Sequence, residues 1–257
     1  MGIEIRILGS TTIQKENGEY APSLLTGPKR LALLTYLLLG SPRGFKRRDK
    51  IIALFWPELN QQKARNALSN ILYHIRSSLG KKIIQNRGSE EISINENNIW
   101  CDALAFEELI HDKKYQLALD LYRDNLLVGF HVPDVSNDFH SWLDSKRQKL
   151  RILAHDASWK LAEKAEENGN IKAAQIWAKK AVDFTMLSEE AHIRLIELLK
   201  RTGQRTDALK VYQEFTKKLQ NKWEISPSDA LRKSIEGIRN QNPNTNVEHD
   251  LAIKESS

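Results

Sequence analysis

Gly169 and Gly203 stand thirty-four residues apart, and the residues that follow them correspond. Five positions on come Ala174 and Ala208, and three or four beyond those come the aromatics Trp177 and Tyr212. A period of this length confines a chain to stacked helical hairpins, because one hairpin cannot bury its apolar face alone and must lean on the next. The small residue lets paired helices approach, and the aromatic fills the groove between them. Lys113, Ala118 and Tyr122 repeat the spacing earlier in the chain, with lysine in the glycine's turn position.

The period is that of tetratricopeptide repeats, so a tetratricopeptide-like, all-α domain is expected over residues 101 to 240. Beyond Gln241 the sequence NPNTNVEHDLAIKESS is polar and aperiodic. A disordered tail is expected over residues 241 to 257. A chain of 257 residues has room for a second domain, and charge marks where it lies. Residues 1 to 100 carry a net +7 and the remainder a net −1. Between Gly27 and Gly88 the imbalance peaks at thirteen Lys and Arg against two acids. Surfaces built for solubility intersperse the signs. A concentrated excess gains instead by displacing counterions from a polyanion.

The pattern of the first hundred residues suits that purpose. Ile3, Ile5 and Ile7 alternate with polar residues as in a half-buried strand. Thr11 to Gln14, the Asn17-Gly18 turn and an extended piece at Tyr20 complete a small antiparallel sheet. Pro28 opens a helix with Leu31, Leu34, Leu37 and Leu38 on its apolar side, closed by Gly40 and Pro42. A second helix spans about Arg47 to Phe55, and Pro57 stops it. Asn60 caps a third, in which Ala64, Leu68, Ile71, Leu72, Ile75 and Leu79 recur at helical spacing and Gly80 ends the run. Lys82 to Asn86 and Glu91 to Asn95 flank Arg87-Gly88-Ser89 as a hairpin with a basic tip, and Ile99-Trp100 can add a closing strand. The fold class is mainly α: a winged helix-turn-helix of α+β type, then the helical repeat.

In a winged helix the third helix enters the major groove and the hairpin tip reaches the neighbouring phosphates or the minor groove. Arg65, Asn66, Ser69, Asn70 and Tyr73 share the polar side of that helix and form the base-proximal set. Arginine suits guanine and asparagine suits adenine, while serine, tyrosine and lysine mainly hold phosphates. His74 and Arg76 extend the face, although His74 could instead satisfy the core and Arg76 could pair with an acid. Arg87 lies at the hairpin tip. Arg47 and Arg48 are candidates for phosphate contact or for the first turn of the second helix.

The runs GPKRLALLTYLLL, RRDKIIALFWPE and ARNALSNILYHIRSSLG resemble the winged helix head of the SARP family of bacterial activators. LYRDNLLVGF, FHSWLDSKRQKLR, LSEEAHIRLIELL and GQRTDALKVYQEFTKKL resemble that family's bacterial transcriptional activator domain, BTAD. The resemblance covers residues 3 to 240. It departs at Trp223-Glu224, which replaces the usual Leu-Gly, and at Met186, where these repeats favour proline. It implies an activator that binds direct repeats near promoters and recruits RNA polymerase, with the BTAD contributing to a homodimer. The lack of a signal-like or membrane-spanning run adds the expectation of a cytoplasmic protein.

Enzyme chemistry finds no support. There is neither a GxxxxGK[ST] loop nor an HExxH motif. His131, Asp134, Asp138 and His140 fall in a loop between helices, and Trp142 with Arg147 and Arg151 reads as packing plus a solvated face. Cys101, the single cysteine, is expected to be a buried thiol. No cofactor or metal is called for. The apolar run Leu31 to Leu39 is far shorter than the ~20 residues of a membrane span, and the N-terminus lacks the apolar core of a signal peptide. Two rival readings have different partners: a protein-binding adaptor, and an RNA-binding regulator, which the missing aromatic platform on the third helix disfavours.

Overall fold

The computed structural model describes residues 2 to 185 and 187 to 239. The expected tail and the departure at Met186 lie outside them. The chain divides into two compact units, Met1–Ala154 and His155–Ser257.

In the first unit, β1 (Ile3–Arg6) buries Ile3 and Ile5 on one face, as their alternation requires. It pairs antiparallel with β2 (Thr12–Gln14), Ile5 opposite Ile13. Its other edge takes β6 (Ile99–Cys101) in parallel, Ile5 opposite Cys101. The N-terminal sheet is therefore mixed, not purely antiparallel, and Ile99-Trp100 closes this sheet instead of the wing. The reason follows on directly: Asp102 opens α5 (Asp102–His111) and its buried carboxylate accepts from the backbone of Ile7 at 2.9 Å and Leu8 at 3.0 Å. Those bonds hold the end of β6 beside the end of β1.

After the single turn α1 (Pro22–Leu25), α2 (Pro28–Leu39) buries eight of its twelve residues. Next, β3 (Lys46–Arg47) leads straight into α3 (Arg48–Phe55). Asn60 caps α4 (Gln61–Leu79), accepting from the Lys63 backbone at 2.9 Å, and Gly80 leaves the helix at a φ of +105°. Ala64, Leu68, Leu72, Ile75 and Leu79 are buried, so α4 is pinned along one side. The wing is β4 (Ile84–Arg87) and β5 (Glu91–Ile94), with β3 on the outer edge of β5.

The unit continues past the charge break at residue 100. α6 (Tyr115–Leu121) forms a hairpin with α5, and α7 (Asn137–Glu167) follows. Phe139, at the start of α7, sits 4.7 Å from Phe55, and Trp142 meets Tyr36 edge-on at 4.9 Å. These rings join α2, α3 and α7 in one core. Arg147 packs as expected, donating to the carbonyls of Leu126 and Leu127, each at 2.9 Å.

The second unit contains the end of α7, then α8 (Ile171–Phe184), α9 (Glu189–Arg201), α10 (Arg205–Trp223), α11 (Asp229–Lys233) and α12 (Glu236–Arg239). Ala174 and Ala208 are fully buried, and Trp177 and Tyr212 lie against the same core, as the repeat spacing anticipates. Lys113, Gly169 and Gly203 share one turn geometry, with φ of +60°, +70° and +78°. Each turn closes alike: the N–H one residue later donates back to the carbonyl four residues before, as in Lys114 to Leu109, Asn170 to Ala165 and Gln204 to Leu199.

Candidate nucleic-acid interface

With its apolar side committed to the core, α4 presents Arg65, Asn66, Ser69, Asn70, Tyr73 and His74 to solvent. They form two adjacent rows, 65-69-73 and 66-70-74, because residues four apart overlie one another on a helix. From Arg65 to Tyr73 the rise is about 12 Å, close to the width of the major groove. Tyr73 is 68% exposed, which excludes a core role, and His74 packs edge-on against it at 5.8 Å. His74 is itself exposed, and among the described residues it lies outside the core. Asn66 accepts from Gln62 at 3.2 Å, while among the described residues Arg65 forms no ion pair.

The flanking arginines divide into two kinds. Arg47 grips Asp49 with Nε and Nη2, at 3.1 and 2.7 Å, and this pairing holds the Asp49 carboxyl below its ordinary range. Arg87 is paired with Glu91, lowering that carboxyl's pKa too, and its guanidinium lies 4.5 Å from the centre of the Phe45 ring. Both exposed pairs are worth little and open easily. Arg48 and the half-buried Arg76 have no carboxylate partner among the described residues, and both donate to the Asn86 side chain.

Asn86 escaped the reading of the sequence. It lies in β4, and its meeting with Arg48 and Arg76 depends on β3 pairing with β5, a two-residue strand without its own pattern. Beside Arg65 and Ser69 a cleft of about 630 Å³ opens between α3, α4 and the hairpin tip, lined also by Arg48, Trp56 and Leu59. No group of three or more metal-ligating side chains occurs among the described residues. His131 and His140 stack at 6.0 Å without a third ligand. No helix among those residues is long and apolar enough to cross a membrane.

Residues 105–239 match the family model of the bacterial transcriptional activator domain. Among solved structures, the chain is similar to Mycobacterium tuberculosis EmbR in complex with a low-affinity phosphopeptide, at 19% identity and a TM-score of 0.61. The likeness covers 94% of this chain and 66% of that one, just under two thirds, and at this identity it shows the fold. The C-terminal TPR-containing domain of a Plasmodium falciparum FK506-binding protein matches at 16% identity and a TM-score of 0.26, over 60% of this chain and 89% of that one, too weakly to carry an argument. No curated protein matches the sequence.

Proposed function

The chain belongs to the bacterial transcriptional activator domain family, as its resemblance to SARP regulators implied, and from that premise we propose that it activates transcription by reading duplex DNA through α4. Residues 1 to 100 bind the DNA, and residues 101 to 240 carry the protein contacts. Arg65, Asn66, Ser69, Asn70 and Tyr73 meet base edges, while Arg47, Arg48, His74, Arg76 and Arg87 meet the backbone. The observation that carries this reading is the solvent-facing row of readers on a helix anchored along its other side. The +11 window around it supplies affinity, since phosphate neutralisation dominates DNA binding.

On this reading the protein works in the bacterial cytoplasm, binds direct repeats near promoters as a homodimer, and engages RNA polymerase through its helical domain. Paired exposed arginines suit the role: Arg47 and Arg87 exchange weak carboxylate partners for phosphates at little cost. A mobility-shift titration of genomic duplex fragments, run beside RNA of the same sequence, tests the proposal. Tight binding to particular duplexes is the expected result. Preference for RNA, or indifference to both, would overturn it.

A further inference from the structure

Away from the reading rows of α4, two arginines converge on one neutral acceptor. Nη2 of Arg48, at the start of α3, donates to Oδ1 of Asn86 at 3.1 Å, and Nη2 of Arg76, in the last turn of α4, reaches the same oxygen at 3.4 Å. The backbone sets this meeting. β3 pairs with β5, and the Arg48 N–H donates to the Glu90 carbonyl at 2.8 Å, which ties the start of α3 to the hairpin.

The nearby acids make no ion pair with either guanidinium: Asp49 holds Arg47, Glu91 holds Arg87, and Glu90, which accepts from the Ser89 hydroxyl, attracts Arg48 without pairing with it. The Arg48 Nε is buried and has no hydrogen-bond partner. Burial lowers the pKa of Arg48, and the neighbouring Arg76 cation adds to the effect against the opposing pull of Glu90. Two like charges thus share one amide oxygen, with donor capacity left over. A phosphodiester fits this arrangement, because its two free oxygens can take one guanidinium each and its charge removes the repulsion.

We propose that Arg48, Arg76 and Asn86 form the seat of one DNA backbone phosphate, with Asn86 a positioning residue that holds both guanidinium groups ready. The proposal rests on the duplex-DNA reading above. It adds to the exposed, acid-paired Arg87 a backbone grip on the α4-facing side of the wing, where among the described residues Arg48 and Arg76 form no ion pair that a phosphate would have to displace.

Duplex binding by the full chain is measured as a function of salt for the parent, Asn86→Asp and Arg48→Gln, on duplexes carrying single neutral methylphosphonate substitutions. Asn86→Asp sets a carboxylate between the guanidinium groups. It is expected to flatten the logarithmic salt slope by about 0.9, or about 3.5-fold less affinity lost over a fourfold rise in salt. The parent is expected to weaken when one particular phosphate is neutralised, and both variants to be indifferent at that phosphate. Parent-like slopes in both variants, or continued sensitivity at that phosphate, would overturn the seat while leaving the DNA reading intact. A parent that ignores duplex DNA would overturn the reading itself.

Discussion

The turn shared by Lys113, Gly169 and Gly203 yields a test in which the sign of the effect matters more than its size. At Gly169 and Gly203 an added Cβ would meet nothing within 4 Å, so Gly→Ala there incurs only the backbone penalty of a side chain at positive φ. That penalty is about 1–2 kcal/mol. It is offset by about 0.4–1 kcal/mol, because alanine restricts the unfolded chain. Gly169→Ala and Gly203→Ala should each destabilise by about 0.8 kcal/mol, the net of the mid-range values of these two effects. Lys113, at a φ of +60°, already bears the penalty, so Lys113→Gly should stabilise by a similar amount. Scanning calorimetry should show melting temperatures displaced by about 2–4 °C per kcal/mol for a chain of this size. The two alanine variants should move down and the glycine variant up. An unchanged or raised midpoint for both alanine variants would refute the left-handed turns and, with them, the structural equivalence of the three hairpins.

Two further outcomes follow. Burial pushes the Cys101 thiol up to about 12, so a thiol-alkylating reagent at mildly alkaline pH should leave the folded chain unlabelled and react only once denaturant exposes it; fast labelling of native protein would contradict the packing of β6. His192 stacks on Phe215 at 3.6 Å between ring centres and donates from Nδ1 to the Ser188 carbonyl, and burial holds its pKa below the usual value despite Asp183 and Glu189, with the Lys218 cation adding to the depression. The unfolded chain therefore takes up this proton first. The contribution of His192 is complete above the unfolded value of about 6.5 and is lost as pH falls through the folded one. Parent and His192→Phe should thus differ in stability by an amount that changes between neutral and mildly acidic pH; a constant difference would contradict the buried neutral imidazole.

Features encoded locally are legible in the sequence. The Asn60 cap, the buried ladder from Ala64 to Leu79 and the turns at Gly169 and Gly203 each follow from residues within a few positions of one another. Spacing alone puts Lys113 in the same turn, although lysine gives no hint of positive φ. What escaped was set by distant pairing. β3 is two residues long and exists because β5 supplies its partner; β6 joins β1 because Asp102 reaches the Ile7 and Leu8 amides. The seat at Asn86 was hidden for that reason, since its three residues are spread over α3, α4 and β4 and no short window contains them. The aromatic contacts of Phe139 and Trp142 with Phe55 and Tyr36 are equally non-local, and they carry the first compact unit beyond the charge break.

The central claim is that α4 reads base sequence in duplex DNA. Its most direct test is selection of binding sites from random duplexes by the parent and by Arg65→Ala and Asn70→Ala, with sequencing of the enriched pools. The parent should enrich a repeated motif, and each variant should keep the repeat spacing while losing preference at one defined base, a discrimination of about 1–3 kcal/mol. A parent pool no different from its input, or variants that enrich the parent's motif unchanged, would contradict it.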